Sequence, residues 1–179
     1  ASHHRQSAAV EGCIADLKKY ADTIFVIPSS KFMGGNVDYP ANAAYTLYRA
    51  AESVALLLHD GVTSMPMPLA RVRRRMFDSG LGFLGIGASR GSGRASIATR
   101  AALTGPLTEA PPLTSVKTVF LHVDCPIDMQ IDEVKNAAKL ACKLVDRRCV
   151  VLTSCSIEAS AGPTNAARAV IVGLPARSL

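Results

Sequence analysis

Apolar residues recur along this chain with two periods, and the switch between them separates helices from strands. Over 7–20, Val10, Cys13, Ile14 and Leu17 fall at helical spacing, with Lys18 and Lys19 in the predicted last turn, where cations suit the helix dipole. Ile24, Phe25, Val26 and Ile27 form an unbroken apolar run closed by Pro28, the pattern of a strand covered on both faces. The segment 31–40, with its glycine pair and Pro40, reads as a loop. From Ala41 to about His59 the pattern predicts a long helix, apolar around most of its circumference, as for a helix held between two layers.

Pro66 and Pro68 then lead into a helix over 69–78. Leu69, Val72, Met76 and Phe77 make its inward stripe, Arg71, Arg74 and Arg75 lie on the opposite arc, and Arg73 sits near the apolar edge, where it must snorkel or pair. LGFLGIGA (81–88) reads as a glycine-laced strand, SRGSG as a turn and RASIATRAAL as a helix from about Gly93. TGPLTEAPPLTS holds three prolines and is a connection. KTVFLHVDC is a strand, and IDEVKNAAKLACKLV a helix with Val134, Ala138, Ala141 and Leu144 or Val145 inward. RCVVLTSCSIE and AARAVIVG are two strands joined by ASAGPTN, a Gly-Pro turn consistent with a hairpin. The order predicts an α/β chain of the α+β kind: a four-stranded mixed sheet with packed helices, preceded by a long core helix.

Composition narrows the class. With 179 residues, 49% hydrophobic and 19% charged, the chain has the material for one sizeable core and not for disorder. The longest apolar run, Val54 to Leu58, ends at His59-Asp60, far short of a membrane span. The five cysteines are odd in number and include no C-x-x-C pair, so they read as free thiols in a reducing, cytoplasmic setting. The four histidines lack ligand-like spacing, and His122 lies inside an apolar strand; no metal site is expected. A formal net charge of +6 admits an anionic partner such as nucleic acid, an acidic protein or a lipid surface, without selecting one. The start at Ala1 instead of methionine, with no apolar leader, leads us to expect a piece of something longer.

The chemistry-bearing stretches are few. GIGASRGSGRAS (85–96) links a strand to a helix start, but it lacks the lysine of a phosphate loop and reads as a turn. Asp124, Asp128, Asp132 and Glu133 cluster around CPIDMQIDE, and are expected to cap and start the helix that follows. No Ser-His-Asp or Cys-His set follows from spacing. The arginine helix lacks the interleaved aromatics and the helix-turn-helix pattern of a nucleic-acid reader.

Specific words in the chain resemble one family. ADTIFVIP resembles the V-D-T-L-I-V-I-P segment of the bacterial division protein FtsZ, a member of the tubulin superfamily. SGLGFLGIGASRGSGRASIATRAALTGPL is similar to that family's A-G-T-A-L-M-G-I-G, turn, R-A-x-x-A helix and S-P-L-L. DCPIDMQIDEVKNAA is similar to G-G-x-D-L-x-L-x-E-V-N-x-A-A, and AARAVIVG to the last strand, I-R-V-T-V-I-A-T-G. The matches run in order from about Gly12 to Gly173.

The resemblance implies that residues 1–40 end a Rossmann-like GTP-binding domain, that 41–62 hold the central core helix, and that 63–179 form the C-terminal activating domain. The family's glycine-rich nucleotide loop falls upstream of Ala1, so GTP or GDP is expected only in a longer parent chain. Guanine-contacting positions of the family carry over to Ser29, Tyr48 and Glu52. Members polymerise head to tail, and acids of the activating loop orient the water that attacks the neighbour's GTP. That loop reads N-x-D-x-x-D-V, and its three polar positions fall on Pro66, Pro68 and Arg71. Proline has no side-chain acceptor and arginine only donates, so the catalytic loop is degenerate in this comparison.

The expectation is therefore an FtsZ-like cytoskeletal protein of cell division that assembles filaments or a scaffold without activating hydrolysis. Its subunit contact is expected over 64–75, through Met65, Met67, Leu69, Arg71, Arg74 and Arg75. Two alternatives stay open: a GTPase with relocated acids, Asp60 and Asp78 being nearest, or a basic module that docks an anionic surface through the arginine helix.

Overall fold

A computed structural model of the chain describes residues 2–28, 48, 51–52, 54–55, 68–77, 79–108, 113–157 and 166–175. Its centre is a four-stranded sheet in the order β3-β6-β4-β5, with β3 over Phe83–Ser89, β4 over Val116–Cys125, β5 over Val150–Ile157 and β6 over Ala167–Pro175. β6 runs antiparallel to both β3 and β4, whereas β5 is parallel to β4. The mixed sheet was legible; the hairpin between β5 and β6 was not, and the two strands do not touch as neighbours. The cause lies in their composition. β6 is buried at Ala167 and at every residue from Ala169 to Leu174, so it takes a central place; β5 carries Thr153, Ser154 and Ser156 and takes the edge.

Two helices cover one face. We name α1 as Ser2–Leu17, α2 as Leu69–Met76, α3 as Arg94–Thr104 and α4 as Ile131–Leu144. Val119, Leu121 and Val123 of β4 and Ile171 of β6 pack against Ala95, Ala98 and Ala102 of α3 and against Val134, Ala137 and Ala141 of α4. Ala137, not Ala138, is the fully buried alanine of that turn. Small residues let α3 lie almost on the sheet: a Cβ at Gly85 or Gly87 would collide with the backbone carbonyls of Ala102 and Ala98. Gly93, at φ 70°, turns the chain into α3 from the left-handed region that glycine enters without strain.

On the other face, Leu84, Ile86, Phe120, Val170, Val172 and Leu174 form a second cluster with Val72 of α2, fully buried. Phe25, Ile27, Val54 and Met76 pack partly buried against it. Tyr48, Ala51, Glu52, Val54 and Ala55 are helical, in keeping with the expected long helix; the rest of that prediction, and the loop over 31–40, lie outside the described residues. Val54 faces the sheet while Ala51 and Ala55 are exposed, so these residues present one apolar side and not an apolar circumference.

The N-terminal elements differ from their reading in detail. The helix ends at Leu17, so Lys18 and Lys19 stand in the turn after it, Lys19 paired with Asp16 at 2.8 Å. Val10 and Leu17 are about half exposed. The strand expected over 24–27 is the two-residue β1, Thr23–Ile24, half-buried and parallel to β2, Gly80–Leu81. Phe25 to Ile27 leave the ladder but keep their packing role.

Candidate subunit interface

The arginine helix, α2, starts without a side-chain cap. Pro68 occupies the N-cap position, its carbonyl accepts from the amides of Arg71 (2.8 Å) and Val72 (3.2 Å), and the first turn contains no acid. A carboxylate there would favour the helix dipole, and Arg71 opposes it; Arg73, Arg74 and Arg75 in the last turn complement it. Val72 anchors the helix to the sheet. Arg71, Arg73 and Arg74 are exposed, Arg75 is half-buried, and Leu69 and Met76 are half-buried beside Val72. Arg73 thus projects to solvent, and Phe77, placed in the inward stripe by periodicity, is 58% exposed because the chain turns extended there.

The end of α2 is tied to β1. The Met76 carbonyl accepts from Thr23 Oγ1 at 2.6 Å and from Ser79 Oγ at 2.9 Å, and the amides of Ser79 and Gly80 both donate to the Asp22 carbonyl at 2.9 Å. This clasp fixes the orientation of the arginine arc relative to the segment before Pro28.

Of the guanine-contact counterparts, Tyr48 and Glu52 are one helical turn apart, the Tyr48 hydroxyl donating to Glu52 Oε1 at 3.2 Å. The ring is 60% exposed and the carboxylate half-buried. Ser29, Met65, Pro66 and Met67 lie outside the described residues, as do Asp60 and Asp78.

The acids around CPIDMQIDE divide into three roles. Gln130, not an aspartate, stands at the N-cap of α4, and no side chain caps it. Asp132 and Glu133 occupy the first turn as expected; Asp132 pairs with Lys135 at 2.9 Å, which holds its carboxyl below the usual range. Asp128 and Glu133 reach Arg94 of α3 at 3.0 and 3.7 Å. Asp124 caps nothing: it lies on the sheet, where His122 and Ser156 meet its Oδ1 at 3.1 and 2.9 Å and Arg168 donates to its Oδ2 at 3.1 Å.

Spacing did not bring His122, Asp124, Ser154 and Ser156 together; strand register does, setting Asp124 opposite Ser156 and Arg168, and His122 opposite Ser154. Ser154 Oγ lies 2.8 Å from His122 Nδ1, so the tautomer with its proton on Nε2 satisfies both ring nitrogens. The constellation has the residue types of an acyl-transfer triad, but both hydroxyls and the ring are buried. The cluster ties β4, β5 and β6 together by side-chain hydrogen bonds. Among the described residues no three His, Cys, Asp or Glu converge as a metal site, and no helix is long and apolar enough to cross a membrane.

A four-stranded mixed sheet with helices packed on it is the fold of an FtsZ-type C-terminal domain. Residues 80–174 match the model of the FtsZ family, C-terminal domain, and the chain belongs to that family. It is similar to the mitochondrial division protein fszA of Dictyostelium discoideum, 32% identical over 149 residues, which span 80% of this chain and 28% of that protein. It is similar also to the cell division protein FtsZ of Caulobacter vibrioides, 30% identical over 167 residues, 88% of this chain and 32% of that protein. The solved empty FtsZ dimer of M. jannaschii superposes with a TM-score of 0.74 at 23% identity, over 88% of this chain and 46% of that one, a likeness of fold alone. The chain spans less than half the length of these relatives. Their sources also reach beyond bacteria, so a bacterial origin does not follow.

Proposed function

We propose that this chain is the C-terminal half of an FtsZ-like cytoskeletal subunit, working in the cytoplasm in filament assembly or scaffolding of a division-type ring. Its activating loop no longer activates hydrolysis. The reading is carried by the sequence resemblance, in which the loop's three polar positions fall on Pro66, Pro68 and Arg71. Attack on a phosphoryl group needs an acceptor that orients the water. Pro68 is spent on starting α2, and the exposed Arg71 presents only donors. A guanidinium at that place pairs with phosphate oxygens or acidic side chains of a neighbouring subunit, which strengthens a head-to-tail contact without turning it over. The solved relative named as a dimer supports self-association as the mode of contact.

GTP or GDP belongs, in this reading, to a longer parent chain. The residues described here offer a base edge at Tyr48 and Glu52 and supply no step of the chemistry. The exposure of Arg71, Arg73 and Arg74 favours a second reading, in which α2 docks an anionic surface such as DNA or lipid.

The test is GTP turnover and sedimentation of a longer parent chain carrying this half. We expect filaments that form with GTP, and turnover far below that of an acid-bearing FtsZ, rising when Pro66→Asn, Pro68→Asp and Arg71→Asp are introduced together. Turnover equal to an acid-bearing FtsZ, lost on changing Arg71 and its loop, overturns the proposal. Association that weakens steeply with salt and persists on DNA or lipid alone selects the second reading.

A further inference from the structure

The helices α3 and α4 carry a second surface, on the face of the sheet opposite α2. Ala95, Ala98 and Ala102 of α3 and Ala137 and Ala141 of α4 are fully buried in one cluster, which brings the helices close together side by side. Their outward sides enclose an open groove of about 370 Å³, lined by Ser96, Ile97 and Arg100 from α3 and by Asn136, Leu140 and Lys143 from α4. That volume is at the small end of binding sites, which run from about 300 to about 1,000 Å³. The groove is open along its outer side, which suits an extended segment that lays one side chain into it.

The lining has an apolar strip and charge of one sign. Ile97 is 51% exposed on a helix that buries Ala95, Ala98 and Ala102 on its other side, and Leu140 is half-buried across from it. Arg100 and Lys143 flank them, and among the described residues no carboxylate lines the groove. The acids of α4 and its flanks are engaged elsewhere: Asp128 and Glu133 with Arg94, Asp132 with Lys135, and Asp146, whose Oδ1 accepts from the Arg148 amide. Among the described residues neither Arg100 nor Lys143 has an ion-pair partner. Lys139, exposed one turn before Lys143, extends the basic rim.

We propose that this groove receives a short acidic peptide segment of a partner protein. One aliphatic or aromatic side chain sits between Ile97 and Leu140, and flanking carboxylates meet Arg100 and Lys143. Charge complementarity selects this occupant. A second copy joined groove to groove sets Arg100 and Lys143 against their own counterparts, which repel. A single nucleic-acid strand finds no aromatic platform in the lining on which bases stack. An amphipathic segment uses both features, the apolar strip for anchoring and the rim for steering. Because α2 lies across the sheet, the occupant leaves the proposed subunit contact free, and the two surfaces fail independently.

The experiment selects peptides from a random displayed library on the whole chain, then measures the synthesised winners by fluorescence anisotropy. We expect enriched sequences that place Asp or Glu around a Leu, Ile or Phe. Affinity should fall about tenfold or more in Arg100→Glu/Lys143→Glu, and also in Ile97→Ala, with circular dichroism unchanged. Backbone amide shifts on binding should centre on Ser96, Ile97, Arg100, Asn136, Leu140 and Lys143. Winners that bind both variants as tightly as the unaltered chain overturn the proposal. So do acidic winners without an apolar residue, displacement of the winners by short duplex DNA at equal charge, self-association of the chain through this face, or the absence of any enriched sequence.

Discussion

Arg168 of β6 and Asp124 of β4 are register partners on adjacent antiparallel strands, and their side chains join at 3.1 Å, Nη1 to Oδ2. The other carboxylate oxygen carries His122 and Ser156, so one aspartate serves three neighbours on a face where it is 8% exposed. Removing it takes the carboxylate from a partly buried guanidinium and from a buried imidazole at once. Asp124→Ala is expected to cost about 3–5 kcal/mol in urea unfolding, the scale for breaking a buried pair from one side. Asp124→Asn keeps an acceptor for His122 and Ser156 and should cost less. A loss below about 1 kcal/mol for the alanine variant, the scale of an exposed pair, would show that the cluster contributes little.

The contact between β3 and α3 gives a second expectation. Gly87 lies under the helix so closely that a Cβ would meet the Ala98 carbonyl and the Ala102 amide, both backbone atoms that no rotamer change removes. Gly87→Ala should therefore destabilise by about 3 kcal/mol or more, the upper range for overpacking a close-packed core. Gly12→Ala, on a helix with open space around it, is the control and should leave the unfolding midpoint in place or raise it slightly. Equal midpoints for the two variants would mean that α3 can lift from the sheet without penalty.

How far these features were legible depended on whether local pattern or strand pairing decided them. Val72 and Val134 follow from periodicity, because burial on one face of a helix leaves a trace within a few residues. The place of β6 did not follow: a Gly-Pro turn between two apolar strands looks like a hairpin, and only the competition for central positions moves β6 away from β5. Asp124 was misread for the same reason. In sequence it stands just ahead of a helix start and resembles a capping acid, whereas its partners Ser156 and Arg168 lie 32 and 44 residues away. The arginine arc was legible in its composition and inner face, but Phe77 was not, since the helix ends one residue earlier and sends the ring outward.

Thiol ionisation supplies a third expectation. Burial, with Cys155 beside it, pushes the Cys125 thiol up from 9.0 to about 12, and burial with Cys142 nearby pushes Cys149 up to about 11. The folded chain therefore keeps protons that the unfolded chain releases. The stabilisation is complete below about pH 9 and declines as pH rises from there toward about 12. Between about pH 8 and about pH 10.5 the unfolding midpoint should fall more steeply in the unaltered chain than in Cys125→Ala/Cys149→Ala. Alkylation at neutral pH should reach the exposed Cys13 and Cys142 first, and the buried Cys125 and Cys155 only on unfolding. Parallel pH profiles for the two proteins would mean that these thiols ionise alike in both states.

The two ion pairs at the start of α4 should behave in opposite ways. Lys135 and Asp132 are close, at 2.9 Å, but both side chains stand well in water, 62% and 77% exposed. Solvent and salt screen such a pair, and ordering two flexible chains offsets most of the attraction. Asp132→Ala is therefore expected to leave the unfolding midpoint unchanged. Arg94 differs because its side chain is only 8% exposed, spanning from α3 to Asp128 and Glu133. Its removal takes away a buried aliphatic stem as well as a charge, while the two acids, 50% and 28% exposed, can return to water. That relief makes the cost of Arg94→Ala smaller than for Asp124→Ala, about 1–3 kcal/mol. Arg94→Met, which restores the stem without the charge, should recover part of it. If Arg94→Met and Arg94→Ala lose the same amount, the ion pairs and not the packing hold α3 to α4 at this corner.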